Sequence, residues 1–166
     1  MLVYSGDKAQ FLEDVSTNEI DRKIEEMMAL KLKKRVGERE HASWMNSMQY
    51  MQNILLDSEI PSDCGVAIEF NIPNTAKRVD FIISGLGERD DRNAIIVELK
   101  QWSQVESIPS VEQLLRYNPE AEVINVQTIL GRGLVETAHP SYQATSYRTL
   151  ISDYNVNVQE LPIRLN

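Results

Sequence analysis

Three segments of alternating polarity, 66–72, 78–84 and 94–100, constrain this chain more than anything else in it. A period of two sends successive side chains to opposite faces of a strand, so each segment belongs in a sheet with one apolar face turned inward. Val66, Ile68, Phe70 and Ile72 share a face in the first, Val79, Phe81 and Ile83 in the second, and Ile95, Val97 and Leu99 in the third. The other faces mix apolar residues with Glu69, Asp80, Glu98 and Lys100. If those faces coincide in one sheet, half-buried carboxylates gather, and their lost hydration demands compensation.

The segments around the strands point to helices. Ser16 and Glu19 have capping-box spacing, and Ile20, Ile24, Met27 and Met28 recur at helical intervals, which predicts a helix over 16–35. A second, over 38–57, carries the stripe Trp44, Met48, Met51 and Leu55. Carried back one turn, that stripe reaches Glu40, an acidic residue leading an apolar face. Residues 103–121 read as loop with a short helix at 110–116, residues 122–130 as a further strand, and residues 131–133 as a turn. Pro140 suits the first position of a helix running to about residue 153, with Gln143 and Tyr147 on its stripe. The expected class is α/β, with a central mixed sheet of four or five strands flanked by helices.

At 166 residues the chain has the length of one domain, with N-terminal helices over about 16–57 and the sheet and site over 66–154. No apolar run approaches the roughly 18 residues that span a bilayer, and the first ten residues do not read as a secretory signal. Cys64 has no partner cysteine, and a cytoplasmic location is expected. With 17 basic and 25 acidic residues the net charge is −8, so any attraction for a polyanion must be local. The basic run Lys31, Lys33, Lys34 and Arg35 is one such strip, or else the solvated end of a helix.

Two acidic groups on neighbouring strands are most simply reconciled by a divalent cation, and an all-oxygen set favours Mg2+ or Mn2+ over zinc. Lys100, two residues after Glu98, projects to the same face and can offset charge or hold water. The competing reading is a structural ion-pair network. Glu69 is read evenly as a site residue or a solvent-facing one. Trp102, just past Lys100, is left open between stacking on bases and structure. His41 and His139 lack metal-ligand spacing.

The order of these parts resembles the PD-(D/E)XK, or restriction-endonuclease-like, nuclease superfamily: Glu40 on a helix, Asp80 on a second strand, then Glu98-Leu99-Lys100 on a third. "RVD" at 78–80 and the pair Gln143 and Tyr147 are similar to the Arg-x-Asp and Gln-x-x-x-Tyr motifs of its RecB-like branch. Glu69, "KQW" at 100–102 and "HPSYQATSY" at 139–147 also resemble the N-terminal nuclease-like domain of bacterial proteins that continue into a helicase-like P-loop ATPase. The resemblance implies a Mg2+- or Mn2+-dependent nuclease acting on DNA rather than RNA, in bacterial DNA processing or defence. Asp80 and Glu98 with the Leu99 carbonyl would ligate the metal, Lys100 would orient water, and Glu40 would complete the shell. Gln143, Tyr147, Glu69 and Trp102 would bind substrate or support the site. A homodimer or a downstream helicase-like ATPase domain is the implied partner, although no P-loop occurs in these residues. The alternative is a catalytically inactive nuclease fold that binds nucleic acid or scaffolds a partner ATPase.

Overall fold

The structure, a computed structural model, describes residues 2–32, 37–87, 89–121, 123–131, 133–161 and 163–166, and of residues 32 and 38–40 only the backbone. The chain opens with a strand β1 (Tyr4–Asp7) and a helix α1 (Lys8–Ser16), followed by α2 (Ile20–Leu32) and α3 (Glu38–Leu55). The three alternating segments become β2 (Gly65–Asn71), β3 (Arg78–Leu86) and β4 (Arg92–Val97). Next come β5 (Val105–Glu106), α4 (Pro109–Tyr117), β6 (Asn125–Leu130) and β7 (Gly133–Ala138). The chain finishes with α5 (Pro140–Tyr154), α6 (Val156–Glu160) and β8 (Ile163–Leu165).

The main sheet has five strands in the order β1-β2-β3-β4-β8; the first three pairings are antiparallel and β8 runs parallel to β4. Asn166 continues the last pairing, donating from its N–H to Ala94 and accepting from the Ile96 N–H. The expected mixed sheet is therefore present. A second sheet, β5-β6-β7, was not anticipated. Among the described residues no helix is long and apolar enough to cross a membrane.

Two apolar clusters form the core. The first joins α1, α2 and α3 to β2 and β3 through Phe11, Ile24, Met28, Trp44, Met51, Ile68 and Phe81. The second joins α5 to the sheet through Ile72, Val79, Ile96, Tyr147 and Ile151. Strict alternation would keep Ile68, Phe70 and Ile72 together, but only Ile68 enters the first cluster while Phe70 and Ile72 pack in the second. The change falls at Glu69, whose φ of 57° lies in the left-handed region. β3 makes the same exchange across Asp80, with Val79 in the second cluster and Phe81 in the first.

Other expectations are corrected at the ends of elements. The helix predicted over 16–35 is α2, which starts at Ile20 instead of Ser16, because Ser16 closes the separate helix α1 by donating its hydroxyl to the Leu12 carbonyl. Buried Asp14 joins the two helices, accepting from Tyr4 Oη, Gln10 Nε2 and Lys23 Nζ at 2.7 to 2.9 Å. Burial alone would raise its pKa, but these donors, Lys23 foremost, hold it below the ordinary carboxylate value. Residues 103–121 hold β5 as well as the expected helix α4, and the strand predicted over 122–130 starts at Asn125. α5 begins at Pro140 as expected, its first turn capped by His139 Nδ1, which accepts from the Ser141 N–H.

Phe11 is fully buried between Tyr4 and Phe81 in edge-to-face contacts of 6.4 and 5.4 Å. Phe11→Ala should therefore lower the unfolding free energy by about 3–5 kcal/mol in urea titrations. Leu114→Ala, on a helix with no buried residue, should change it by less than about 0.5 kcal/mol.

Candidate active site

The site forms where β3 and β4 cease to pair. The ladder runs through Phe81 opposite Val97, and the next pair in register would be Asp80 opposite Glu98. β4 ends at Val97, so Glu98, Leu99 and Lys100 are not strand residues as the alternation implied. The Asp80 side chain takes over from the ladder: its Oδ2 accepts from the Leu99 N–H at 2.9 Å. Asp80, Glu98 and Lys100 thus line one open cleft of about 410 Å³, together with Arg78, Gln143 and Tyr147.

Glu98 is the centre of this cleft, with its side chain 3% exposed. Oε1 accepts from Lys100 Nζ at 2.5 Å and from Gln143 Nε2 at 2.6 Å. Oε2 is buried and, among the described residues, accepts no hydrogen bond. Burial pushes the Glu98 pKa up to about 7, with the Asp80 charge adding to the rise and Lys100 opposing it. Gln143 also donates to Tyr147 Oη at 2.6 Å, one turn along α5. Burial is likewise the main reason the Tyr147 phenol is raised.

The remaining predicted residues fall around the cleft. Glu69 does not line it; its buried side chain lies on the α3 side, accepting from Trp44 Nε1 at 3.0 Å and pairing with Arg78 Nε. Arg78 lines both the cleft and a pocket of about 200 Å³ beneath α3, so Glu69 anchors a cation at the cleft wall. Trp102 lies in a neighbouring groove with Lys100 and Leu99. Glu40 stands in the first turn of α3 and its side chain lies outside the described residues, as do Lys33, Lys34 and Arg35. His41 pairs with Asp21 at 3.1 Å, away from the cleft. The lining residues that sequence reasoning passed over are Asn71, Ala76 and Lys77, where β2 ends and β3 begins. Their signal was position, two strand ends converging on Asp80.

Among the described residues no group of three or more His, Cys, Asp and Glu side chains stands together as a metal cluster. The two carboxylates do fit a hard dication, because a desolvated carboxylate oxygen without a donor beside a second acid is the environment such an ion relieves. Magnesium sites commonly use one or two carboxylates and fill the rest with water or substrate oxygens.

A raised carboxyl pKa works against the native state as pH rises. Below the ordinary carboxylate range both native and unfolded chains hold the Glu98 proton; between that range and about 7 only the native chain does, so stability falls with pH. Glu98→Gln should remove this fall: in EDTA its melting temperature should exceed that of the wild type at pH 8 by more than it does at pH 5, as read by thermal denaturation.

Comparison with family models, curated proteins and solved structures finds no match for this chain.

Proposed function

We propose that this chain is a metal-dependent nuclease of the PD-(D/E)XK type, RecB-like branch, that hydrolyses phosphodiester bonds of nucleic acid, DNA in preference to RNA, with Mg2+ or Mn2+. The observation that carries the reading is Glu98 Oε2, which is buried beside Asp80 and, among the described residues, accepts no hydrogen bond, with Lys100 on the same carboxylate. Support also comes from the placement of the motif parts: Asp80 on β3, Glu98 and Lys100 directly after β4, and Gln143 with Tyr147 on α5, all on one cleft. The mixed sheet, with helices α1 to α3 against one cluster and α5 against the other, is compatible with a restriction-endonuclease-like core.

In this reading Asp80 and Glu98 hold the cation, with the Leu99 carbonyl as a third ligand. Bound there, the metal would lower the pKa of water and stabilise charge on the phosphate. The chain's own groups do the rest. Gln143 fixes the Glu98 carboxylate from α5, leaving Oε2 free for the ion. Lys100, whose side chain is a quarter exposed at 25%, reaches the cleft mouth, where its ammonium can orient an attacking water. Lys77 and Arg78 on the cleft wall attract the phosphate backbone locally, which an acidic chain needs.

A second reading, an inactive nuclease fold that binds nucleic acid or scaffolds an ATPase, is favoured by the close pairing of Lys100 with Glu98, which already satisfies both groups in part. Cleavage of labelled single- and double-stranded DNA and RNA with magnesium, manganese or EDTA separates the two. Activity should require metal and fall about a hundredfold or more in Lys100→Ala and in Asp80→Ala. Magnesium should also raise the melting temperature of the wild type and not that of Asp80→Asn. Absence of cleavage with every metal, or cleavage unchanged in both variants, would overturn the nuclease reading.

A further inference from the structure

From Ala42 to Leu56 the chain has no charged residue, although a quarter of all residues, 25%, are charged. This is most of α3. Its apolar stripe, Trp44, Met48, Met51 and Leu55, is buried. On the opposite, exposed face stand Asn46, Gln49, Tyr50 and Asn53, at intervals of three, one and three. A solvent-facing helix surface normally carries Lys and Glu, whereas this one presents uncharged amides around a tyrosine that is 70% exposed. The face forms one wall of a groove of about 850 Å³ whose other wall is the segment from Leu99 to Ser103, including half-buried Trp102. Lys100 lines both this groove and the cleft of Asp80 and Glu98. Among its described lining residues none is acidic, in a chain of net charge −8. Gln101 ties the two walls together by donating from Nε2 to the Ser43 carbonyl and, at 3.2 Å, to Ser47 Oγ.

We propose that this groove is a subsite for the unpaired bases of a polynucleotide strand, next to the phosphate-handling cleft. Tyr50 and Trp102 offer faces on which bases stack, the amides of Asn46, Gln49 and Asn53 offer paired donors and acceptors for base edges, and Lys100 joins the groove to the backbone track. A duplex keeps its bases stacked on each other and cannot present those faces. The inference rests on the nuclease reading only in taking Lys100 to face the strand's backbone.

The test uses the full chain with calcium, and a short oligothymidylate, an oligouridylate, an abasic strand of equal length and a duplex, followed by anisotropy and tryptophan emission. Oligothymidylate or oligouridylate should bind about tenfold more tightly than the abasic strand and the duplex, with quenching of the emission. Trp102→Phe should keep most of the affinity and lose the quenching, since Trp44 is buried. Tyr50→Ala, on an exposed position, should weaken the unpaired strand about tenfold and leave the abasic strand unchanged. Equal binding of abasic and base-bearing strands, no binding of any strand, or quenching that survives Trp102→Phe would overturn the proposal. An inactive chain that still prefers bases would fail as a nuclease and keep this subsite; an active chain indifferent to bases would do the reverse.

Discussion

The structure turns on an exchange between its two cores at the level of Glu69 and Asp80. A left-handed backbone at a non-glycine residue costs about 1–3 kcal/mol and persists only where its surroundings enforce it. Here the Trp44 indole and the Arg78 guanidinium hold the Glu69 carboxylate, so the strained residue is fixed by polar contacts inside the protein. The consequence for the sheet is that β2 serves the three N-terminal helices with its first half and α5 with its second, while β3 presents Phe81 and Ile83 to the helices and Val79 and Ile82 to α5. Asp80 sits at that exchange, with cores above and below it along the strand, and so becomes a rigid acidic group at a point where a cleft can open.

The burial of Glu98 follows from the same arrangement. With β4 released from the ladder after Val97, the chain turns the next side chain into the space between the sheet end and α5, where water is largely excluded. Its two oxygens then have different surroundings. One is saturated by an amide and an ammonium, while the other, among the described residues, accepts no hydrogen bond. A carboxylate kept in that state stores electrostatic tension that a cation relieves, and the neighbouring Asp80 makes the preference for positive charge stronger.

Much of this was legible from spacing. The periods of two and of three to four located β2, β3, β4, α3 and α5, and the polar residues that broke those patterns, Asp80, Glu98, Lys100, Gln143 and Tyr147, are the ones that meet in the cleft. What was not legible has physical causes. β1 is four residues long and β8 three, too short to show a period, and both exist because an edge of the main sheet was available to pair with them. α1 has a weakly patterned sequence and is fixed by burial of Phe11 and Asp14. β7 is nearly all exposed, so no inward face marked it in advance. The flip at Glu69 is a property of tertiary packing, since Glu is not a residue that favours a left-handed conformation. Ile95 shows the limit of pattern reading: it has the alternation of a core residue and is 46% exposed, lining an open pocket with Pro61 and Ile83.

The link from Gln143 to Glu98 has a mechanical side. α5 carries Gln143 at one end of its stripe, while Tyr147 and Ile151 are seated deep in the second core. The helix therefore acts as a stiff rod whose foot rests among apolar side chains and whose tip touches a titrating acid. Loosening the foot, even by a methyl group, would be felt at the tip, so packing far from solvent sets where the Gln143 amide meets the Glu98 carboxylate.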